Sequence, residues 1–515
     1  MIKVLVTVHF PVLVIVISLI SAFTILVAGL VNKKSCWVIS TATILLQLVM
    51  ALSILNQVLT TGTIHYRMGG WMPPWGIEYV IDALNAYVLI VILFLGLICV
   101  VYSKRSVEQE LQSDKIVPFY IVYQLLITGL CGIIVTGDIF NMYVFLEISS
   151  LAAYALIAAA GGRALKASFV YLVLGSVGAC FFLLGIGFLY AVTGTPNIAD
   201  LAILLPPLYG NRLVQAAFVF FAVGLSIKIA LFPLHIWQPD AYTYAPSTGS
   251  AIIAATMSKV SAYALIRVIY SVFTLEFVRS YVGVDITICW IATIGIIAGS
   301  MLAIVQHNLK RMLAYSSVSQ MGYIVLGIGL SPISAWGLLG ATAHISNHAI
   351  MKGCLFLAAG AFIYKYGLRD IRDFEGLGRK MPYASAAFTI AALSMIGVPP
   401  SAGFATKLFL ILASLQATEV FSWSAYVFVA VLLLSSLLNL VYFWRVIERM
   451  YFVKSEEEQN RGEREANKTE LPLSMLLPML ILAALCIVVG ILWLTKLPLP
   501  FITDALVELG VEVLP

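Results

Sequence analysis

The chain has 515 residues, of which 61% are hydrophobic and only 11% are charged. A soluble protein of average composition carries roughly 25% charged residues, so this composition excludes an ordinary soluble enzyme and predicts a membrane protein. The net charge of +5 does not indicate nucleic-acid binding, because the basic residues lie between apolar runs.

Apolar runs of about 20 residues, each long enough to cross the hydrocarbon of a bilayer, recur along the chain. The first run lacks a strong basic region before it and a small-residue cleavage site after it, so it is predicted to be a span and not a signal peptide. We therefore predict an all-α polytopic membrane protein with about 14 transmembrane helices. The predicted helices are residues 10–31, 36–58, 81–102, 116–136, 139–161, 167–192, 213–235, 249–271, 284–306, 312–330, 335–364, 383–415, 425–452 and 473–495.

Lysine and arginine are unequally distributed between the two sets of loops. Loops after odd-numbered helices hold 20 of them, the opposite side holds 5, and 5 more lie inside predicted helices. Because cytoplasmic loops carry the excess of Lys and Arg, we predict a multi-pass protein of the cell inner (plasma) membrane with both termini on the non-cytoplasmic side. The polar stretch 455–470 is predicted to be a solvated cytoplasmic loop, and the tail at 501–515 a short interfacial segment.

Prolines interrupt two of the predicted helices. Helix 7 is predicted to end at residues 232–235, and helix 12 to break at residues 398–401. Proline removes a backbone donor, so the freed carbonyls must face protein or water and not lipid. The breaks are five helices apart, an odd number, which predicts two five-helix units inverted in the membrane. The predicted parts are 1–115 (helices 1–3), 116–271 (first unit, helices 4–8), 284–452 (second unit, helices 9–13) and 453–515 (loop, helix 14 and tail).

Two lysines, Lys228 and Lys407, lie inside apolar helices next to these breaks. A cation near the bilayer centre costs a few kcal/mol unless it lines a hydrated path, pairs with an anion or gives up its proton. Glu147 lies nine residues into helix 5 after Asp138, about 13 Å deep, and is the natural partner for Lys228. The alternatives are snorkelling for the lysines, a neutral structural carboxyl for Glu147 and N-capping for Asp138.

Helix 11 carries His344, His348 and Lys352 at positions i, i+4 and i+8, so all three share one helical face. The HxxxH spacing also suits zinc, but there is no HExxH glutamate and no obvious third ligand, and packed core histidines are a further alternative. We favour a proton relay, because neutral imidazole accepts with one nitrogen and donates with the other.

A chain of titratable residues at membrane depth predicts a proton wire. Its predicted members are Glu147, Lys228, Lys259, His344, His348 and Lys407, with Asp138, His235 and Lys352 in supporting positions. The seven cysteines are scattered singly, and no phosphate-binding loop, dinucleotide fingerprint or haem motif is present. We therefore predict no cofactor and no metal.

Six segments resemble the antiporter-like subunits shared by respiratory complex I, Mrp-type cation/proton antiporters and membrane-bound hydrogenases. The similarity is greatest to the D-type subunit of the Mrp Na⁺/H⁺ antiporters. The segments occur in order and extend over nearly the whole chain: 69–86, 136–158, 228–247, 308–324, 348–360 and 397–407.

The resemblance implies fourteen helices with two inverted five-helix units. It also implies roles in proton transfer for the six predicted members of the wire. Position 407 is lysine where one complex I paralogue type has glutamate, and the large C-terminal extension of another type is missing. Both departures favour the D type of the Mrp branch.

The leading hypothesis is a proton-translocating subunit of a multisubunit Na⁺(K⁺)/H⁺ antiporter, a secondary transporter and not an enzyme. The alternative is the same module in a redox-driven complex, either NADH:quinone oxidoreductase-like or an energy-converting hydrogenase, where it would be a translocase subunit without redox ligands. A stand-alone substrate transporter is disfavoured, because the buried polar residues suit protons better than an organic ligand. The expected partners are other membrane subunits, H⁺, Na⁺ or K⁺, and the bilayer.

Overall fold

The computed structural model describes residues 7–283, 285–454 and 470–495. Over these ranges the chain is a bundle of long helices, and the predicted all-α polytopic class is confirmed. Thirteen described helices are long and apolar enough to cross a membrane, and two shorter apolar helices, α12 and α13, accompany them. In chain order, these thirteen long and two shorter helices are α1 (Phe10–Val31), α2 (Lys33–Thr61), α3 (Ala83–Glu110), α4 (Ile116–Val135), α5 (Ile139–Ala158), α6 (Arg163–Thr193), α7 (Arg212–Ile229), α8 (Ser247–Arg267), α9 (Asp285–Ile304), α10 (Leu309–Leu330), α11 (Ala335–Tyr366), α12 (Pro382–Ile396), α13 (Ala402–Gln416), α14 (Trp423–Tyr451) and α15 (Leu473–Leu494).

Short elements connect these helices. Short α-helices lie at Ile198–Leu204, Trp237–Tyr244, Thr274–Glu276, Leu377–Lys380 and Thr418–Phe421. Single turns of 3₁₀-helix lie at Met68–Gly70, Ser113–Lys115, Pro206–Leu208 and Ile371–Asp373, and π-helical turns at Val268–Val272 and Phe277–Val282.

A small antiparallel hairpin, which the sequence analysis did not predict, links α2 to α3. Strand β1 (Ile64–Arg67) pairs with β2 (Glu78–Ile81), with Ile64 opposite Ile81 and Arg67 opposite Glu78. The buried Glu78 carboxylate lies 3.2 Å from His65 Nδ1. Four-residue strands are too short to give a clear alternating pattern, which explains why the sequence did not reveal them.

Predicted helix 12 consists of two helices, α12 and α13, separated at the expected break. Gly397 has φ +93°, a conformation that favours glycine, and it ends α12 by donating to the carbonyl of Leu393 at 3.0 Å. Counting α12 and α13 as one interrupted span gives the predicted fourteen.

Helix α7 ends earlier than predicted. Its last residue is Ile229, because Ala230 adopts a left-handed conformation with φ +60° and turns the chain before Pro233. The carbonyl of Ile227, freed by this early end, accepts a hydrogen bond from Trp237 Nε1 at 2.9 Å. Lys228 therefore lies in the last turn of α7 rather than in the middle of a longer helix.

The centre of the bundle is formed by α8, α10 and α11. Every residue of α8 is buried, and α8 packs against α11, which packs in turn against α10. Outer helices such as α1 and α2 instead expose apolar side chains, for example Leu30 and Val49, as lipid-facing surfaces do. Lys259 on α8 and His344, His348 and Lys352 on α11 therefore lie inside the protein.

Some predictions fall outside the described residues. The loop at 455–469, the tail at 501–515 and both chain ends lie there. The inverted five-helix units and the four-part division of the chain stay predictions.

Candidate functional site

Lys228 and Glu147 form an ion pair between α7 and α5. Lys228 Nζ lies 3.0 Å from Glu147 Oε1 and donates to Ser150 Oγ at 2.7 Å. The Lys228 side chain is 4% exposed and that of Glu147 is 23% exposed. The partnership predicted for these two residues is thus present, and neither of them snorkels out of the bundle. A charged pair this close is strongly coupled, so a change of charge on one member alters the stability of charge on the other.

Asp138 is the N-cap of α5. Its Oδ1 accepts from the backbone N–H of Asn141 at 2.7 Å, which accounts for the aspartate by helix capping. Asp138 precedes the membrane-spanning segment, and its burial raises the pKa of its carboxyl. A role as a proton funnel stays a prediction.

The segment after α7 carries the polar side chains of His235, Gln238 and Tyr242, and Tyr242 reaches α8. His235 stacks on Phe232, and His235 Nδ1 has no hydrogen-bond partner among the described residues. Gln238 Nε2 donates to the Tyr242 hydroxyl at 3.0 Å, and Tyr242 also interacts with the side chain of Ser258, the neighbour of Lys259. Sequence analysis named His235 here but missed Gln238 and Tyr242.

Lys259 is fully buried near the middle of α8. Its ammonium donates to the carbonyl of Ala254 and lies 3.4 Å from Ser258 Oγ, without a carboxylate within ion-pair distance among the described residues. It lies within electrostatic range of His348 and Lys352 on α11. Lys259 is thus near two regions: its neighbour Ser258 contacts the segment after α7, and its ammonium is close to the polar face of α11.

The face of α11 that carries His344, His348 and Lys352 points into the bundle. His344 Nδ1 lies 2.9 Å from Thr406 Oγ1, and His344 Nε2 lies 3.0 Å from Gln320 Oε1. The His344 and His348 rings stack with centroids 5.6 Å apart, and neither nitrogen of His348 has a hydrogen-bond partner among the described residues. A buried imidazole without protein partners has both nitrogens available to water, as a relay requires.

Lys352 and Lys407 are held by oxygen atoms that carry no full charge. Lys352 Nζ donates to the Leu313 carbonyl at 2.7 Å and to the Ser316 hydroxyl. Lys407 Nζ donates to the carbonyls of Met395 and Ile396 at 3.1 and 2.7 Å and to Ser436 Oγ at 2.9 Å. The Met395 and Ile396 carbonyls belong to the last turn of α12, whose dipole favours a cation.

The predicted residues therefore fall into three connected groups. Glu147 pairs with Lys228, Lys259 lies near His348 and Lys352, and His344 is linked through Thr406 to the helix that bears Lys407. Sequence analysis also missed several uncharged polar neighbours inside apolar helices: Ser150, Ser316, Gln320, Thr406 and Ser436. Their only sequence signal is polarity in a hydrophobic run, which many core residues share.

One buried ion pair lies outside the predicted set. Arg267, at the end of α8, donates to Asp82 Oδ1 at 2.5 Å, to Asn85 and to the Tyr263 hydroxyl at 2.9 Å. These bonds to Asp82 and Asn85 join the end of α8 to the start of α3, which indicates a structural clamp between the two helices. No group of three or more His, Cys, Asp or Glu side chains within the described ranges is arranged to hold a metal ion.

Comparisons with known proteins give consistent matches. The family model described as "NADH:quinone oxidoreductase/Mrp antiporter, TM" matches residues 136–434. NADH-quinone oxidoreductase subunit N of Desulforudis audaxviator is 45% identical over 94% of this chain and 96% of its own length. The D-type subunit of the Na(+)/H(+) antiporter of Alkalihalophilus pseudofirmus is 30% identical over 88% of both chains.

Two solved structures share the fold. A chain of the membrane-bound sulfane sulfur reductase, an archaeal respiratory membrane complex, matches with TM-score 0.85 and 33% identity over 96% of both chains. A chain of the Mrp complex from Dietzia sp. DQ12-45-1b matches with TM-score 0.83 and 24% identity over 94% of both chains, which indicates a common fold.

Proposed function

Because the chain belongs to the NADH:quinone oxidoreductase/Mrp antiporter transmembrane family, we propose that it translocates protons as one subunit of a multisubunit membrane complex. The recognition of this family from sequence segments is confirmed. The observation that carries the proposal is the Lys228–Glu147 pair, 3.0 Å apart between membrane-spanning helices. Such a pair binds or releases a proton according to the charges around it, which is the property that coupled translocation needs.

The proposed path leads from Lys228 past Gln238 and Tyr242 to Lys259. From there it continues along α11 through His348 and His344 and ends at Lys407. Two contacts support parts of this order: Tyr242 interacts with Ser258, and Thr406, which bonds His344, precedes Lys407. Water is needed between members that lack a direct hydrogen bond.

The test is Glu147→Gln in the intact complex, measured as proton movement in everted vesicles by dye dequenching. Glutamine keeps the shape and hydrogen-bonding capacity of Glu147 but cannot ionise, so translocation should collapse. The matched control is Glu276→Gln, an exposed glutamate outside the long helices. Wild-type rates in the Glu147 variant would contradict the proposal and leave Glu147 as a neutral structural residue.

For the driving force, we propose exchange of protons for Na⁺ or K⁺, as the name of the Na(+)/H(+) antiporter relative suggests. A redox-driven complex is the second candidate, and one observation favours it: the relative named NADH-quinone oxidoreductase subunit N is more similar, at 45% against 30% identity. Purification of the complex and identification of its subunits separates the two. Small membrane subunits alone support exchange, and quinone-site or cysteine-rich hydrogenase-like subunits support redox coupling.

We also propose that residues 116–271 and 284–452 are inverted units in the cell membrane, with both termini on the non-cytoplasmic side. The excess of Lys and Arg at one set of loops supports this orientation. Labelling of single cysteines introduced at exposed Lys166 and exposed Arg279 tests it, because an impermeant thiol reagent should reach only Arg279→Cys from the non-cytoplasmic side.

A further inference from the structure

A basic cavity lies at one end of α2, α3 and α4, away from the buried lysines of the proposed path. Its volume is about 370 Å³, and its polar lining comprises Lys33, Lys34, Lys104, Arg105 and Glu108, with Trp37 on one side. Four positive side chains face one negative side chain, which leaves an excess of three positive charges. The single internal ion pair, Arg105 to Glu108 at 3.5 Å, is half exposed and neutralises little of this excess.

The cations are held in place by neighbouring groups. Lys104 Nζ lies 4.4 Å above the Trp37 ring, whose Nε1 donates to the Val100 carbonyl at 2.9 Å. Lys33 Nζ donates to the Ser113 carbonyl at 2.9 Å and to Ser113 Oγ at 2.8 Å. These contacts arrange the cations around the cavity before any anion arrives, which lowers the cost of binding one.

The start of α2 adds to the positive potential. This helix of 29 residues begins at Lys33, and its first backbone N–H groups point toward the same end of the bundle. Asn32 accepts from two of them, from the N–H of Lys34 through its side chain at 3.0 Å and from the N–H of Ser35 through its carbonyl at 3.1 Å. The Lys34 ammonium has no hydrogen-bond or ion-pair partner among the described residues, although it lines the cavity.

The cavity is open to the level of the lipid headgroups. Helix α3 has 28 residues, more than the ~20 needed to cross the hydrocarbon, so its end with Lys104 and Arg105 extends to the interface. An exposed apolar stripe runs from the cavity along one face of α2. Its members Val38, Leu45, Val49 and Leu52 are each at least half exposed.

We propose that this cavity binds the phosphate headgroup of an anionic phospholipid, whose acyl chain lies along the stripe of α2. Clustered Lys and Arg between membrane helices are suited to phosphodiester groups, and the adjoining apolar stripe suits an acyl chain but not a free phosphate ion. Trp37, with its ring at the boundary, is the residue type expected at this depth. The site is separate from the proposed proton path.

The test compares Lys34→Gln/Lys104→Gln with Arg163→Gln/Lys166→Gln in the complex purified from membranes in mild detergent. The control pair also lies at a helix start and is exposed, but it does not line the cavity. Native mass spectrometry counts retained lipid, and titration with phosphatidylglycerol measures affinity. The Lys34/Lys104 variant should bind about 25-fold more weakly, from about fivefold for each lost cation near an anionic headgroup. The control should bind like wild type.

Glu108→Gln is a second variant, and its expected effect on lipid binding is opposite to that of the first. It removes the only negative charge of the cavity, so it should retain anionic lipid more tightly than wild type, a gain that a folding defect cannot produce. Phosphatidylcholine vesicles and inorganic phosphate, each at the same concentration as phosphatidylglycerol, show whether the cavity needs an anionic lipid, any lipid or only a phosphate ion. The proposal would be overturned if inorganic phosphate protected the complex against heating as well as phosphatidylglycerol does. It would also be overturned if all variants retained the same amount of lipid. A cross-link from Lys34→Cys to a neighbouring subunit that fills the cavity would overturn it as well.

Discussion

Two buried lysines, Lys228 and Lys407, lie beside the two breaks of the bundle but are accommodated differently. Lys228 has a carboxylate 3.0 Å away, whereas Lys407 has two backbone carbonyls and a hydroxyl. The Lys228 ammonium is therefore stabilised by a full charge that can itself change, and the Lys407 ammonium by dipoles that cannot. The first arrangement suits a lysine whose protonation changes with the charge of its partner. The second suits a lysine whose surroundings stay constant while protons pass.

The difference originates in how each helix ends. At the end of α7 the Ile227 carbonyl accepts from the Trp237 indole, and the lysine of the last turn pairs with Glu147 on α5. At the end of α12 the carbonyls of Met395 and Ile396 accept from Lys407 on α13, and the Met395 carbonyl also accepts from Asn439 Nδ2 at 3.2 Å. Both broken helices thus end in carbonyls that accept side-chain donors, but a lysine is the donor only at the end of α12.

The largest effect is expected for Lys228→Ala. This change removes the group that is proposed to exchange the proton, so proton translocation should fall by at least about 100-fold, or about 2.7 kcal/mol in the barrier, while the complex still assembles. Lys228→Arg should also be poor, because guanidinium does not release its proton in the working range. Dye dequenching in everted vesicles measures the rate, and exposed Lys166→Ala is the control.

A double variant sharpens this result. If the two residues act as a unit, Lys228→Ala/Glu147→Gln should be no worse than either single change, because the loss is shared and not additive. Additive losses would show that Glu147 and Lys228 act independently despite their contact.

Lys407→Ala should have a smaller effect than Lys228→Ala. Its removal takes a donor away from neutral oxygen atoms and leaves no uncompensated charge, so the maximal rate should fall about tenfold, or about 1.4 kcal/mol in the barrier. Where transport is coupled to Na⁺, the concentration giving a half-maximal response should stay unchanged. A large shift in that concentration without loss of rate would place Lys407 in the cation site instead.

The sequence predicted the helices well because a span is a long, local and strongly apolar signal. It predicted the Lys228–Glu147 contact because a buried cation needs an anion and Glu147 was at matching depth. It placed the end of α7 several residues too late, since nothing in the sequence indicates that Ala230 adopts a left-handed conformation. The hydrogen-bond partners of Lys407 were also beyond prediction, because backbone carbonyls are present at every position.

The histidines of α11 should behave like Lys407, since they precede it on the proposed path. His344→Ala/His348→Ala removes both imidazoles and should lower the maximal rate about tenfold, with the Na⁺ response unchanged. Exposed His307→Ala is the control. Treatment of the wild type with a zinc chelator should have no effect, and inhibition by the chelator would indicate a metal between the two rings.

The smallest effect is expected for Thr406→Val, which keeps the side-chain volume but removes the hydroxyl that lies 2.9 Å from His344 Nδ1. Loss of one hydrogen bond of this kind is worth about 0.5–1.5 kcal/mol, so the maximal rate should fall by roughly two- to tenfold. The hydroxyl orients the ring and selects which nitrogen carries the proton, so Thr406→Ser should restore the rate. Assembly of the complex should be equal in all three forms. If the Ser variant is slow and the Val variant is not, Thr406 contributes through packing of its methyl group, and His344 is not oriented by this bond.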